Sequence, residues 1–311
     1  MSLLYLLLAI GAVLLSLLAF DHLAPATAAR FGTGLDRLLS GLRAHPLQVG
    51  GASMPYLEGG RGATIVLVHG FGGDKDNFTR AARFLAKTYR VLIPDLPGFG
   101  EASRDPGASY AIGDQVANLR AFLQQMDVGQ VHLGGNSMGG FIVAEYAARY
   151  PAQVASLWLL DAAGTAAAFD NPVFRHYQQS GEMPLLLRSA DDFEPMLRIC
   201  TFRPPLVPHS VRHQLGKRGA ADFALHTRIF RQVAESPLLE NQFKSIAAPA
   251  LIVWGDHDAV LNPAGAAALQ AIMPNSQVAM MHNLGHLPML EAPRKTADAY
   301  LDFLRRLPPA V

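Results

Sequence analysis

The sequence has few charges and a single cysteine. Only 16% of its 311 residues are charged, against about 25% in an ordinary soluble domain. Its 26 basic residues nearly balance its 25 acidic ones, for a formal net charge of +1. Because no large basic surface results, no nucleic-acid partner is expected. Cys200 is alone, so it forms no internal disulfide, and no neighbouring motif would activate its thiol for catalysis.

The longest hydrophobic run lies at the N-terminus. Residues 2–20 carry no charge, and a helix of about 20 apolar residues is needed to cross a hydrocarbon core of about 30 Å. We therefore predict a transmembrane anchor over residues 1–22. The alternative is a cleaved signal peptide, because residues 26–28 have the small-x-small form of a processing site. Against it, the run has no basic residues before it and exceeds the usual length of about 7 to 15 residues.

An amphipathic helix is predicted to follow the anchor, in the juxtamembrane segment 23–45. Leu35, Leu38, Leu39 and Leu42 recur at the spacing of one helical face. That face could lie on lipid, pack on its own domain, or pair with a second copy of the chain. In the anchor, Ala12 and Ser16 form a small-xxx-small pair that would let two anchors approach closely, so a homodimer through the N-terminal helix is a hypothesis.

The rest of the chain alternates strands and helices, which predicts an α/β fold with a mostly parallel sheet covered on both faces. The predicted strands are 64–68, 90–93, 131–133, 156–160, 250–254 and 277–281, and the predicted helices are 76–87, 112–126, 137–149, 263–272 and 293–304. Residues 46–58 fit an antiparallel hairpin at the sheet edge. One stretch, 164–243, has no strand pattern and contains seven prolines, so it is interpreted as a helical cap between two core segments, 46–163 and 244–311.

A G-x-S-x-G motif at residues 135–139 follows a predicted strand and precedes a predicted helix. This is the context of a nucleophile elbow, in which the glycines permit a sharp turn that exposes the serine hydroxyl. Ser137 is therefore the candidate nucleophile. The alternative is an ordinary glycine-rich turn with a capping serine.

The H-G-F-G-G segment at residues 69–73 also follows a predicted strand. Such a loop supplies one backbone N–H to an oxyanion hole, and the residue after the nucleophile supplies the other. The predicted donors are Phe71 and Met138. For His69, a structural role in pinning this loop is preferred to a catalytic one.

A serine nucleophile needs a histidine base, and the base needs an orienting acid, in the chain order Ser, acid, His. His286 after the last predicted strand is the candidate base, ahead of His257 and His282. His282 and His286 have the spacing of metal ligands, yet no helix or further ligand supports a metal site, so no metal is expected.

Two carboxylates follow the strand 250–254. Asp258 is the candidate acid because it lies deeper in the loop, whereas Asp256 is expected to act as a turn residue. Asp161, which ends the preceding strand of the sheet, is a second rival for the role.

Together these motifs, with Asp95-Leu96-Pro97-Gly98-Phe99-Gly100 and Trp254-Gly255-Asp256-His257-Asp258, resemble the α/β-hydrolase superfamily from about residue 64 to the C-terminus. With the apolar N-terminus, the chain is most similar to the membrane-anchored bacterial phospholipases A and their lipase and esterase relatives. The resemblance implies Ser137 as nucleophile, Asp258 as orienting acid, His286 as base and no cofactor. It also implies an inner-membrane enzyme facing the periplasm that cleaves acyl esters of glycerophospholipids and short- to medium-chain lipids, releasing fatty acids and lysophospholipids.

Within the cap, Phe169, Phe174, Leu185, Leu186 and Leu187 are the candidates for an acyl-binding tunnel that opens toward the bilayer. Two other functions are weighed. The serine motif also resembles the carbon–carbon hydrolases of aromatic ring degradation, which usually carry a longer, proline-containing oxyanion loop and have no reason to be anchored. A non-catalytic scaffold would share the fold, but it would have no need of all three catalytic groups.

Overall fold

An eight-stranded sheet forms the centre of the computed structural model, which describes residues 3–307. The described residues form the strands β1 (Leu42–His45), β2 (Gln48–Val49), β3 (Ala52–Ser53), β4 (Tyr56–Gly59), β5 (Thr64–Val68), β6 (Arg90–Pro94), β7 (Val131–Asn136), β8 (Val154–Leu160), β9 (Ala250–Gly255) and β10 (Ser276–Met281). The strands β2 and β3 form a separate two-stranded sheet, and the other eight form the central sheet. The helices are α1 (Leu3–Leu23), α2 (Pro25–Leu39), α3 (Thr79–Leu85), α4 (Ile112–Gln125), α5 (Met138–Arg149), α6 (Ala166–Phe169), α7 (Pro172–Ser180), α8 (Phe193–Cys200), α9 (His209–Ala221), α10 (Phe223–Ala234), α11 (Leu239–Gln242), α12 (Gly265–Ile272), α13 (Pro288–Glu291) and α14 (Pro293–Arg306).

Most of the sheet is parallel. Its order is β1, β4, β6, β5, β7, β8, β9, β10, in which β1 and β4 pair antiparallel and the strands from β6 to β10 pair parallel. All six predicted strands coincide with strands of this parallel part, so the predicted mostly parallel sheet is confirmed. Because parallel strands end at the same edge, the loops after β5, β7, β8, β9 and β10 come together.

Helices cover both faces of the sheet. Along β8, Leu157 and Leu159 belong to one hydrophobic core, and Trp158 and Leu160 belong to the core on the opposite face. All four side chains are fully buried, because a strand covered on both faces directs successive side chains into two separate cores. On one of these faces Trp158 stacks on Tyr300 of α14 with ring centroids 4.7 Å apart.

The juxtamembrane helix is shorter than predicted. The helix α2 ends at Leu39, and Gly41 with φ +70° turns the chain so that Leu42 begins β1, opposite Gly59 of β4. The predicted fourth leucine of the helical face therefore lies in the sheet. The remaining leucines Leu35, Leu38 and Leu39 are 43%, 73% and 64% exposed. The helix buries Ala28 and Ala29 instead, so its leucine face is available to lipid or to a second copy.

The apolar helix α1 has no buried residue and is 21 residues long, or about 32 Å at 1.5 Å per residue. Met1 and Ser2, where the predicted anchor begins, lie outside the described residues. At its other end, Asp21 accepts hydrogen bonds from the backbone N–H groups of His209 and Ser210, at 3.0 and 3.1 Å. His22 stacks on the His209 ring with centroids 4.5 Å apart. The end of α1 is thus joined to α9.

The segment between β8 and β9 contains the helices from α6 to α11 and no strand. Prolines separate or begin several of these helices; Pro172 stands at the start of α7, where Asn171 caps the helix by accepting from the N–H groups of Val173 and Phe174. The helices lie over the edge of the sheet at which the site is found. The boundaries 164 and 243 stay predictions of the sequence.

Candidate active site

Ser137 lies in the sharp turn between β7 and α5. It adopts φ 56° and ψ −119°, a strained conformation for a residue other than glycine. Two main-chain hydrogen bonds hold this conformation: the Ser137 N–H donates to the Leu160 carbonyl at 3.0 Å, and the Ser137 carbonyl accepts from the Ala163 N–H at 3.0 Å. The turn is therefore held by main-chain bonds to the end of β8, and the hydroxyl is left out of them.

Two glycines allow the turn to form. A β-carbon on Gly139 would lie 2.2 Å from the Val68 carbonyl oxygen, and one on Gly135 would lie 2.3 Å from the Gly139 carbonyl oxygen. Any side chain at either position would push α5 away from the strands beneath it. The close approach explains why the serine motif needs both glycines.

Asp258 and His286 meet in the loops after β9 and β10. The His286 Nδ1 donates to Asp258 Oδ2 at 2.8 Å, and Asp258 Oδ1 accepts from the backbone N–H groups of Val260 and Leu261 at 2.8 and 3.0 Å. Both residues are buried. With Nδ1 bound to the carboxylate, Nε2 is the nitrogen of His286 that is free to act on a substrate or a nucleophile.

Asn136, which sequence reasoning missed, joins the serine turn to the histidine loop. Its Nδ2 donates to the His286 carbonyl at 3.0 Å and to the Leu160 carbonyl at 3.1 Å. The residue before the candidate nucleophile thus fixes the backbone of the candidate base. Among residues 3–307, no direct hydrogen bond joins Ser137 Oγ to His286; such catalytic hydrogen bonds are often long until substrate is bound. In the sequence, Asn136 is marked only by its place before Ser137 in the G-x-S-x-G motif.

The two predicted oxyanion donors stand on either side of Ser137. Phe71 follows β5, and Met138 is the first residue of α5, where the helix dipole adds positive potential. Within residues 3–307, neither backbone N–H donates to another group of the protein. Phe71 packs edge-on against Phe99 and Phe230, with ring centroids 5.6 and 5.5 Å away. Phe71 and Met138 both line the cavity that contains Ser137, so their unpaired amides are available beside the serine.

His69 holds the loop that carries Phe71. Its Nδ1 lies 2.8 Å from the Gly70 carbonyl, and its Nε2 accepts from the Leu96 N–H at 3.1 Å. This pairing requires the neutral ring with the proton on Nδ1. Burial lowers the pKa of His69, which favours the same neutral form. The geometry fits the structural role predicted for this histidine.

Ion pairs clamp the segment 74–76, directly after the oxyanion loop. The pairs are Asp74 with Arg218 of α9 at 2.5 Å, Asp76 with Arg37 of α2 at 2.6 Å, and Lys75 with Asp95 at 2.7 Å. The last pair is almost completely buried, and Lys75 Nζ also pairs with the exposed Glu101 at 2.9 Å, so removing Lys75 would leave the buried Asp95 carboxylate without its counter-charge. The loop is thereby connected to both the juxtamembrane helix and the cap.

An apolar cavity of about 40 Å³ opens beside Ser137. Ser137 is the only polar residue among its lining. The lining residues are Phe71, Ser137, Met138, Ala163, Phe169, Phe174, Leu185, Phe230, Val233, Ala234, Val260 and Leu261. A larger cavity of about 360 Å³, lined by Ser109, Glu145 and Arg149 among others, contains none of the predicted site residues.

The cap residues predicted to bind substrate divide into two groups. Phe169, Phe174 and Leu185 line the cavity beside Ser137, whereas Leu186 and Leu187 do not. Leu187 is buried against Gly219 of α9, where it fills the space that a β-carbon would take. Leu187 therefore packs inside the cap, whereas Leu186 is half-buried and lies outside the cavity lining.

The rival acid and base residues have partners of their own. Asp256 accepts from Nδ1 of His257 at 2.6 Å, from Nδ1 of His282 at 3.0 Å and from the Asn283 N–H at 2.8 Å. The hydrogen bond from His257 lowers the pKa of Asp256 below its usual range. His282 and His286 thus face different carboxylates. Asp161 lies closer to the site, within 4.8 Å of Asp258 and His286.

Comparisons with known proteins agree with this architecture. A sequence model of the alpha/beta hydrolase fold matches residues 63–192. Lipase 1 of Psychrobacter immobilis is 40% identical over 259 residues, which cover 81% of this chain and 81% of that protein. Monoacylglycerol lipase ABHD6 of Mus musculus is 31% identical over 257 residues, or 79% of this chain and 76% of that protein. The crystal structure of a bacterial membrane phospholipase A matches with a TM-score of 0.88 at 39% identity, over 97% of this chain and 96% of that one.

Proposed function

The chain belongs to the α/β-hydrolase family and is an ester hydrolase of the lipase type, and from this premise we propose that it is a membrane-anchored enzyme that cleaves acyl esters of glycerophospholipids and of short- to medium-chain lipids. The observation that carries the proposal is the convergence of Ser137, the Asp258–His286 pair and two free amides at one edge of the sheet. The chemistry is acyl transfer through Ser137, without a cofactor.

In the first step, Ser137 Oγ attacks the ester carbonyl while Nε2 of His286 takes its proton. The Asp258 carboxylate holds the ring by Nδ1 and stabilises the imidazolium that forms. The negative charge on the carbonyl oxygen is received by the N–H groups of Phe71 and Met138, which need no rearrangement because the protein leaves them unpaired. His286 then protonates the departing alcohol, a lysophospholipid or glycerol derivative.

In the second step, water replaces the alcohol. His286 takes a proton from the water, the hydroxide attacks the acyl-Ser137 carbonyl, and the same two amides receive the oxyanion again. Collapse of the intermediate breaks the bond to Ser137 Oγ, which recovers its proton from His286. The fatty acid leaves, and the free enzyme is restored.

A lipid substrate is supported by the cavity and by the position of α1. The cavity lining is apolar apart from Ser137, as an acyl chain requires. Its volume of about 40 Å³ has room for only a few water molecules, so we expect the cap to move when an acyl chain enters. The cap helix α9 is joined to the end of α1 through Asp21. A cap attached to the anchor would stand close to the bilayer surface, where the substrate resides.

The carbon–carbon hydrolase alternative fits the cavity less well. Ring-opened aromatic substrates carry a carboxylate, which calls for a cationic or polar partner. Among the lining residues there is no arginine, lysine or histidine. The apolar lining favours the acyl chain of an ester.

Location and assembly complete the proposal. We expect α1 to span the bacterial inner membrane with the catalytic domain in the periplasm. We also expect a homodimer through this N-terminal helix, supported by the exposed leucine face of α2 next to it. Because residues 42–45 belong to β1, a truncation meant to remove the dimer contact must stop before Leu42. Sedimentation of the full chain in detergent, compared with Leu38→Glu, tests the assembly: a dimer in both variants contradicts a contact through this face.

The substrate class is tested by incubating the full chain with vesicles of defined phospholipids and identifying the products by mass spectrometry. We expect free fatty acid and lysophospholipid from intact bilayers. Turnover of a soluble short-chain ester without release of any fatty acid from the vesicles would contradict the phospholipid substrate while leaving the esterase chemistry in place.

The cavity gives a prediction with a matched control. Leu185→Arg should lower kcat/KM for a decanoyl ester relative to a butanoyl ester by about tenfold or more, because a charge would enter the space for the distal chain. Leu186→Arg, one residue further and outside the lining, should leave the ratio unchanged. Equal ratios for the wild type and both variants would contradict the assignment of this cavity to the acyl chain.

A further inference from the structure

A second carboxyl group, Asp161, lies beside the candidate triad and has no part in the mechanism above. It follows β8 directly and is fully buried. One oxygen of Asp161, one oxygen of Asp258 and one ring nitrogen of His286 all lie within 4.8 Å of one another. Two carboxyl groups and one imidazole therefore share a single buried space.

The backbone holds Asp161 firmly in this position. Its φ of 45° is unusual for a residue other than glycine, and its N–H donates to the Val253 carbonyl at 2.9 Å. Its Oδ1 accepts from the Gly255 N–H at 2.8 Å. The side chain thus bridges β8 and β9 and cannot turn away from Asp258 without losing the bond to Gly255.

The other oxygen, Oδ2, is buried and has no hydrogen-bond partner among residues 3–307. An unpaired carboxylate oxygen in such a place is costly. Asp258 is the better-supported anion of the two, because it accepts from two backbone N–H groups and from His286. Two buried carboxylates at this separation do not both ionise readily.

We propose that Asp161 is a positioning residue that carries a proton on Oδ2 and donates a hydrogen bond from this O–H to the Asp258 carboxylate, so that a neutral acid fixes the charged acid on which His286 depends. This hydrogen bond gives the buried Oδ2 of Asp161 a partner and restrains the Asp258 side chain. It also adds no negative charge beside the histidine.

The groups around Asp161 favour its protonated form. Burial raises the pKa of Asp161 well above its usual range, and the charge of Asp258 acts in the same direction. The other groups near the cluster are Glu291, a further acid, and the Cys200 thiol, whose pKa is raised to about 12 by burial. Apart from His286, none of the named neighbours is a cation that would favour an ionised Asp161.

The kinetic test, which rests on the proposed function, compares Asp161→Asn and Asp161→Ala. Asparagine can accept from Gly255 and donate to Asp258, so kcat should stay within about threefold of wild type. The acidic midpoint of the pH profile should stay within about 0.3 pH unit, because a neutral donor replaces a neutral donor. Alanine removes the donor and should lower kcat by about tenfold or more, with KM unchanged. Asp256→Asn, in the neighbouring loop, is the control for a general effect of removing an acid.

Two results would overturn the proposal. If Asp161→Asn moved the acidic midpoint down by about one pH unit or more, Asp161 would have been ionised, since removing a charge this close disfavours the imidazolium. If Asp161→Ala kept the wild-type kcat, the residue would have no positioning role.

An infrared difference spectrum of wild type against Asp161→Asn needs no turnover. We expect the C=O band of a protonated carboxyl group at neutral pH in the wild type and its loss in the variant. A carboxylate band in its place would contradict the proposal even if the enzyme had another substrate, which separates this test from that of the proposed function.

Discussion

Replacing Ser137 with alanine should lower kcat for ester hydrolysis by about 10⁶-fold, because the acyl-enzyme has no other atom on which to form. The fold should survive. The contacts that hold the turn are made by the Ser137 backbone with Leu160 and Ala163, and alanine keeps them all.

The measurement is turnover of a chromogenic butanoyl ester, with circular dichroism and the thermal midpoint as controls for folding. Ser109→Ala, which alters the larger cavity, is the matched variant and should keep wild-type turnover. If Ser137→Ala retained turnover while folded, the nucleophile would have to be sought elsewhere. If Ser109→Ala were the inactive variant, the larger cavity would be the active site.

Replacing Asp258 with asparagine should lower kcat by about 10⁴-fold, the second-largest effect we expect. The Nδ1 of His286 donates to Asp258 Oδ2. An amide there can present N–H instead of an acceptor, which favours the wrong tautomer of the ring and leaves the imidazolium without its counter-charge.

The matched control is Asp256→Asn, whose side chain binds His257 and His282 at the surface. Its kcat should stay close to wild type. If kcat fell only slightly in Asp258→Asn and strongly in Asp256→Asn, Asp256 and not Asp258 would be the orienting acid. KM for the ester should change little in either variant, because neither carboxylate lines the cavity.

The sequence predicts those parts of the site whose conformation depends on a few consecutive residues. The turn at Ser137 needs close approach of β7, α5 and β5, and the two glycines that permit it lie within five consecutive residues, 135–139. The same holds for the loop at Phe71, whose position follows from the end of β5. Each is a strand end followed by a recognisable turn, so a few consecutive residues carry the whole signal.

The parts that sequence did not predict depend on distant contacts. Asn136 reaches the His286 carbonyl across 150 positions of the chain, and the space shared by Asp161 and Asp258 arises only when β8 and β9 pair. Leu42 continues the helical spacing of leucines but pairs with Gly59 in the sheet. Leu187 continues an apolar run, but it packs on Gly219. At Leu42 and Leu187, tertiary packing determines the position of the side chain against the local sequence pattern.

The central claim is that Ser137 carries the acyl group, and it is tested most directly by covalent labelling. The full chain is incubated with a p-nitrophenyl organophosphate, digested, and analysed by tandem mass spectrometry. We expect one phosphoryl group, on Ser137, with loss of ester turnover in proportion to labelling and no labelling of Ser137→Ala. Complete inactivation with the label on another residue, or full labelling of Ser137 with turnover unchanged, would contradict it.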